Sequence, residues 1–143
     1  MKKIFACMLF AIIVFSLIVV QVSAYSMGGT KIYDSTGNEV GSAHMWNEPN
    51  AWSNEMYTLG GSLESDTSST LTVVLTPRGI NLATGETDVL ITTSPLSVSE
   101  TKSVYHRYDI NPNAYYPTLA RATFIVNGTY SKTYQYSYGW NWG

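Results

Sequence analysis

Apolar and polar residues alternate with a period of two through much of the chain, and this alternation is the strongest constraint on its fold. The clearest stretches are residues 56–63, 69–76, 88–92, 103–110 and 120–126. Such alternation is typical of antiparallel strands that have one buried face and one solvent face. No stretch after residue 24 shows the 3.6-residue apolar period of an amphipathic helix. The sequence therefore predicts an all-β fold.

Turn residues separate these stretches. Asn127-Gly128 supplies the two positive φ angles of a type I′ hairpin turn, and residues 34–38 form a second polar turn. The prolines fall in connections or at strand ends. We predict seven or eight short strands in one antiparallel β-sandwich of Ig-like or Greek-key type, with a small barrel as the alternative. Residues 47–54 and 111–117 are predicted loops.

The first 24 residues have the charge and hydropathy order of a secretory signal. Lys2 and Lys3 precede an apolar run over residues 4–20. After this run come the small residues of a signal peptidase site, which ends at Ala24. We predict a bacterial signal peptide over residues 1–24, cleaved after Ala24, and a secreted domain over residues 25–143. An uncleaved membrane anchor is the alternative.

Removal of that segment changes the composition. Cys7 is the only cysteine, so residues 25–143 hold no disulfide, thiolate nucleophile or cysteine metal ligand. Loss of Lys2 and Lys3 moves the formal net charge from -2 to -4, because two positive charges leave. An acidic chain with scattered basic residues is a poor candidate for nucleic-acid binding, which depends on phosphate neutralisation.

Candidate catalytic and metal groups are few. His44 and His106 are the only histidines, and no Gly-x-Ser-x-Gly sequence occurs. His106 has the parity of the apolar positions in its strand, so we predict a hydrogen-bonded core histidine. Residues 34–39 could supply oxygen ligands, but they lack the repeated acids of a calcium loop and favour a turn. We predict no enzyme, metal or cofactor, with a glycoside-active enzyme as the lesser alternative.

Aromatic residues are the most informative feature for function. Tyr130, Tyr134, Tyr136 and Tyr138 share one face of the last strand, and they form either part of the core or a binding face. Tyrosine and tryptophan offer apolar area with a polar edge, which suits recognition surfaces. The residues predicted to bind a partner are Trp46, Trp52, Tyr115, Tyr116, Trp140 and Trp142.

Three functions fit these features. The first is a secreted, non-enzymatic binding module for cell-envelope polysaccharide or a protein partner. The second is a membrane-active, bacteriocin-like protein whose aromatic C-terminus contacts lipid. A small cysteine-free exported chain ending in Tyr and Trp is similar in overall plan to some bacteriocins, but its acidic charge disfavours membrane contact. The third is a matrix or surface protein that self-associates through strand edges.

Overall fold

The computed structural model describes residues 25–48 and 58–137, and every regular element within these ranges is a β-strand. All pairings between the strands are antiparallel. No helix in the described ranges is long and apolar enough to cross a membrane. The predicted signal peptide lies outside the described residues. The strands are β1 (Tyr25–Tyr33), β2 (Glu39–Glu48), β3 (Thr58–Leu75), β4 (Arg78–Asn81), β5 (Val89–Leu90), β6 (Leu96–Asp109), β7 (Tyr115–Val126) and β8 (Tyr130–Ser137).

The eight strands form one continuous sheet that folds back on itself as a sandwich. β3 and β6 pair along most of their length, and their register breaks between Glu64 and Leu71. Opposite this break, Glu100 has a φ of 55°, so the paired strands turn a corner there. The first half of β3 pairs with β2 and the second half with β7. Both strands thus contribute to two layers.

We call the two halves layer I and layer II. Layer I contains β1, β2, residues 58–64 of β3 and residues 103–109 of β6. Layer II contains residues 69–75 of β3, the beginning of β6, and β7 and β8, with β4 and β5 extending it. This arrangement confirms the antiparallel sandwich and excludes the closed barrel that was its alternative.

The core lies between the inner faces of the two layers. A Cβ atom on Gly61 in layer I would lie 3.0 Å from Phe124 and 3.0 Å from Val73 in layer II, so the layers approach closely. Within the described residues the predicted alternation is confirmed, because the apolar parity of each stretch is buried or half-buried. The core residues are Met27, Ile32, Ala43, Met45, Leu59, Leu63, Leu71, Val73, Leu75, Val104, Ala120, Ala122, Phe124 and Val126.

Both predicted turns are present. Asn127 and Gly128 have φ angles of 52° and 68°, as a type I′ turn requires. In the turn between β1 and β2, Gly37 has a φ of 88° and its N–H donates to the Asp34 carbonyl at 3.1 Å. The Asp34 side chain is engaged within the turn, which supports a turn over a calcium loop.

β1 and β8 face each other across the open side of the sandwich without pairing as strands. The Tyr134 hydroxyl donates a hydrogen bond of 2.7 Å to the Met27 carbonyl, and Tyr130 and Tyr134 pack against the core. Tyr136 on the same strand is 42% exposed. The tyrosines of β8 therefore belong mainly to the core, while Tyr138 lies outside the described residues.

The second predicted loop is shorter than expected. Tyr115 and Tyr116 begin β7, where they pair with Asn81 and Ile80, so the prediction of a loop through residue 117 is wrong. Pro117 is buried inside β7 rather than at its end. β7 accommodates it because the register with β4 shifts at this point, where a missing N–H costs least.

Candidate functional site

The outer face of layer I combines aromatic rings with charged and polar side chains. Core residues such as Met45, Leu59 and Val104 point inward, so the residues that alternate with them lie on the outer face of the layer. Neighbouring strands bring these outward residues into cross-strand rows. The rows are Glu48–Thr58–Asp109, Trp46–Gly60–Arg107, His44–Ser62–Tyr105 and Ser42–Glu64–Ser103.

Three rings form an aromatic platform in the middle of this face, namely His44, Trp46 and Tyr105. The ring centroids of Trp46 and Tyr105 are 4.6 Å apart with an interplanar angle of 30°. Those of His44 and Trp46 are 6.2 Å apart and nearly parallel, at 13°. Tyr105 is 57% exposed whereas Trp46 is 6% exposed, so Tyr105 is the solvent-facing ring and Trp46 supports it.

Gly60 makes this platform possible. A Cβ atom at Gly60 would lie 2.2 Å from two ring atoms of Trp46, so no side chain fits beneath the indole. The indole lies across the β3 backbone and reaches Tyr105 on β6. A large aromatic side chain over a strand glycine also restores packing that the glycine lacks. Trp46 therefore stabilises the sheet and orients Tyr105.

A polar network borders the platform on the side of Glu48. Arg107 Nη1 lies 3.1 Å from Glu48 Oε2, and Arg107 Nη2 lies 3.3 Å from Asp109 Oδ1. The buried Thr58 hydroxyl donates to the same Asp109 oxygen at 2.6 Å. Exposed ion pairs contribute little stability, but two carboxylates on one guanidinium restrict its orientation beside the platform.

A polar cleft of about 280 Å³ borders the platform on its other side. Ser42 and Ser103 line the cleft and are the next outward residues after His44 and Tyr105, so platform and cleft form one continuous surface. At its rim the Lys31 ammonium donates to Glu39 at 2.6 Å, which raises the pKa of Lys31. The cleft is lined by Glu39, Gly41, Ser42, Glu64, Ser65, Asp66, Lys102 and Ser103.

The structure separates the residues predicted to bind a partner. Trp46 lies in the platform of layer I, whereas Tyr115 and Tyr116 lie on β7 in layer II. Tyr115 packs against the small apolar cluster of Ile91 and Ile110. The other three predicted residues, Trp52, Trp140 and Trp142, lie outside the described residues.

Sequence reasoning missed Tyr105 and Arg107 as site residues. Both had the outward parity of the alternating stretch 103–110, which is correct in the structure. Nothing in the sequence indicated that only one strand separates this strand from the strand that carries Trp46. The missing information was strand order, because Tyr105 reaches the tryptophan only across β3.

Among the described residues, neither His106 nor a metal-binding group adds to this site. His106 lies half-buried on the inner parity of β6, and its Nε2 is 2.9 Å from the Ser94 carbonyl oxygen, so the predicted hydrogen bond is present but the residue is not part of the core. Within residues 25–48 and 58–137 no group of three or more His, Cys, Asp or Glu side chains could hold a metal ion.

Comparisons with protein-family models, with curated proteins and with solved structures found no match. The functional interpretation therefore depends on the chemistry of the outer face of layer I.

Proposed function

We propose that this chain is an exported, non-enzymatic binding module that holds a polysaccharide against the outer face of layer I. The observation that carries the proposal is the exposed Tyr105 ring, 57% accessible and supported by the Trp46 ring at 4.6 Å. The apolar face of a sugar ring can pack on an aromatic ring while its hydroxyl groups bond polar groups around it. The platform with its polar borders offers both kinds of contact.

Contacts within the protein fix the geometry of the platform. Its rings lie on strands β2 and β6, the indole of Trp46 is fixed against Gly60, and Arg107 is held by two carboxylates. A preorganised surface loses little conformational entropy on binding, which favours affinity. A flat surface of this kind suits an extended chain of sugars rather than an enclosed small molecule.

Binding fits this surface better than catalysis. The His106 imidazole, one candidate general base, lies on the inner parity of β6 and already contacts the Ser94 carbonyl. Membrane contact is disfavoured because the outer face of layer I and the adjoining cleft together carry five carboxylates and three cations, a combination that anionic lipid repels. The carboxylates are Glu39, Glu48, Glu64, Asp66 and Asp109, and the cations are Lys31, Lys102 and Arg107.

The test is calorimetric titration of the purified protein with the neutral hexamers of N-acetylglucosamine and of glucose, in parallel with anionic liposomes. We expect saturable binding of at least one hexamer. Tyr105→Ala should weaken it about tenfold or more, which corresponds to about 1.4 kcal/mol, because the variant lacks the ring on which the sugar stacks. The matched control is Tyr136→Ala, which removes a tyrosine that is 42% exposed on β8 in layer II.

Each result decides between candidates. Equal affinity of the two variants would exclude the platform as the binding site. Binding to liposomes alone would favour the membrane-active alternative. Absence of binding to either ligand class would contradict the proposal.

A further inference from the structure

We infer that the glycan bound on this face contains amino sugars whose amines are protonated. The inference rests on the proposed function and concerns its specificity. The platform contributes stacking that is insensitive to charge, so the groups of the adjoining cleft decide which sugar chain is preferred.

Most charges on the outer face of layer I are already paired. Lys31 holds Glu39 at 2.6 Å, and Arg107 is shared between Glu48 and Asp109. Lys31 and Glu39 balance each other, whereas Glu48 and Asp109 together exceed Arg107 by one negative charge, which lies on the opposite side of the platform from the cleft.

Three charged groups of the cleft remain, namely Glu64, Asp66 and Lys102. Within the described part of the chain none of them forms an ion pair within 4.0 Å. Two carboxylates against one ammonium leave one excess negative charge in the cleft. Its charges are therefore available to a ligand, and their sum favours a cation.

Of these three groups, Glu64 is best placed to contact a glycan that stacks on the platform. It lies in the row directly after His44–Ser62–Tyr105, flanked by Ser42 and Ser103. Same-face residues on a strand are about 7 Å apart, so a single glycan chain can stack on Tyr105 and reach Glu64 with a neighbouring unit. The cleft volume of about 280 Å³ lies just below the usual range of small-ligand pockets, which suits one sugar unit.

The charge of the ligand then sets its affinity. A protonated amine donates charge-assisted hydrogen bonds to an unpaired carboxylate, which are stronger than bonds between neutral groups. An N-acetylated or hydroxylated sugar can also donate hydrogen bonds to that carboxylate, but it brings no positive charge and gains no ion pair. A uronic-acid polymer brings negative charge to a cleft that is already negative, and is repelled.

The experiment compares four probes by calorimetry, namely the hexamers of glucosamine, N-acetylglucosamine and glucose, and polygalacturonate. At low ionic strength we expect the glucosamine hexamer to bind about tenfold more tightly than its N-acetylated form. This preference should shrink at about 0.5 M salt, because screening weakens interactions of exposed charges. Polygalacturonate should bind least.

Isosteric variants locate the preference. Glu64→Gln should reduce the advantage of the glucosamine hexamer several-fold and leave the affinity for the N-acetylated hexamer within about twofold. Lys102→Gln should increase that advantage. The matched control is Glu86→Gln, which removes one exposed carboxylate between β4 and β5 in layer II and should change neither affinity.

Failure of this inference can be told apart from failure of the proposed function. If the neutral hexamers bind through Tyr105 but glucosamine has no advantage, or its advantage survives Glu64→Gln, the inference is overturned and the binding module stands. Tight binding of polygalacturonate would also overturn it. If no hexamer binds, both fail.

Discussion

At the residue scale, the Asp34 carboxylate organises the turn between β1 and β2. Its Oδ1 accepts hydrogen bonds from the Thr36 hydroxyl at 2.7 Å, the Thr36 N–H at 2.8 Å and the Asn38 N–H at 2.9 Å. These donors favour the ionised form, and the Thr36 hydroxyl contributes most, so the pKa of Asp34 falls from 3.8 to about 2. The prediction of a turn at residues 34–38 was correct because these residues satisfy one another.

This pKa shift makes the contribution of Asp34 dependent on pH. A carboxyl group with a folded-state pKa below its unfolded value stabilises the fold above about pH 4, and that contribution disappears as pH falls towards about 2. We expect Asp34→Asn to lower the melting temperature near pH 6, and the difference from the wild type to shrink below about pH 4. Ser35→Ala in the same turn is the control, and its effect should not vary with pH. A constant difference for Asp34→Asn would contradict the assignment.

At the scale of single elements, the turn between β7 and β8 is fastened to β3. The Asn127 N–H donates to the Thr70 carbonyl at 2.8 Å, and the Thr70 N–H donates to Asn127 Oδ1 at 2.9 Å. The sequence predicted the turn from its backbone preference alone. The structure adds that the asparagine side chain ties the hairpin to the strand that crosses between the two layers.

Two substitutions separate these roles of Asn127. Asn127→Gly keeps the positive φ and loses only the amide contact, which should cost about 0.5–1.5 kcal/mol in the free energy of unfolding. Asn127→Ala loses the contact and also lacks the short polar side chain that makes asparagine tolerant of the left-handed region, adding about 1 kcal/mol or more. Urea denaturation measures both changes. Equal losses for Ala and Gly would show that the backbone conformation contributes nothing.

The alternation located most strands but not their lengths. Residues 56–63 and 69–76 read as two strands, whereas the structure has one strand of 18 residues that bends between them. A break in alternation looks the same at a corner as at a turn. β6 begins at Leu96, well before the alternation that starts near residue 103. The first part of the strand shows no alternation because residues 97–100 are all exposed and bury no apolar face.

At the scale of the whole molecule, the candidate site depends on strand order that no local pattern encodes. Trp46 and Tyr105 meet because β3 lies between β2 and β6, and the pairing of β3 with β6 skips two strands of the sequence. Burial of the core fixes that pairing, since both strands must present their apolar faces to the opposite layer. Trp46 was therefore predictable as a candidate, but Tyr105 and its contact with Trp46 were not.

The seam between β1 and β8 provides the last test at this scale. Tyr134 bonds the Met27 carbonyl across the open side of the sandwich at 2.7 Å. A Cβ on Gly28 would lie 2.2 Å from the Tyr134 hydroxyl oxygen, so the glycine keeps this contact possible. Tyr134→Phe leaves the ring in the core and removes only the hydroxyl. We expect it to lower the free energy of unfolding by about 0.5–1.5 kcal/mol and to speed amide hydrogen exchange in β1.

Tyr33→Phe is the matched control, since it removes a hydroxyl from a tyrosine that is 53% exposed at the end of β1. Because water already solvates that hydroxyl, the change should be close to neutral. If both variants unfold at the same urea concentration and β1 exchanges at the wild-type rate, the contact contributes nothing to closing the sandwich. Core packing between the layers would then hold β1 without help from β8. If only Tyr134→Phe loosens β1, the seam is closed by side chains in place of the backbone pairing that would have completed a barrel.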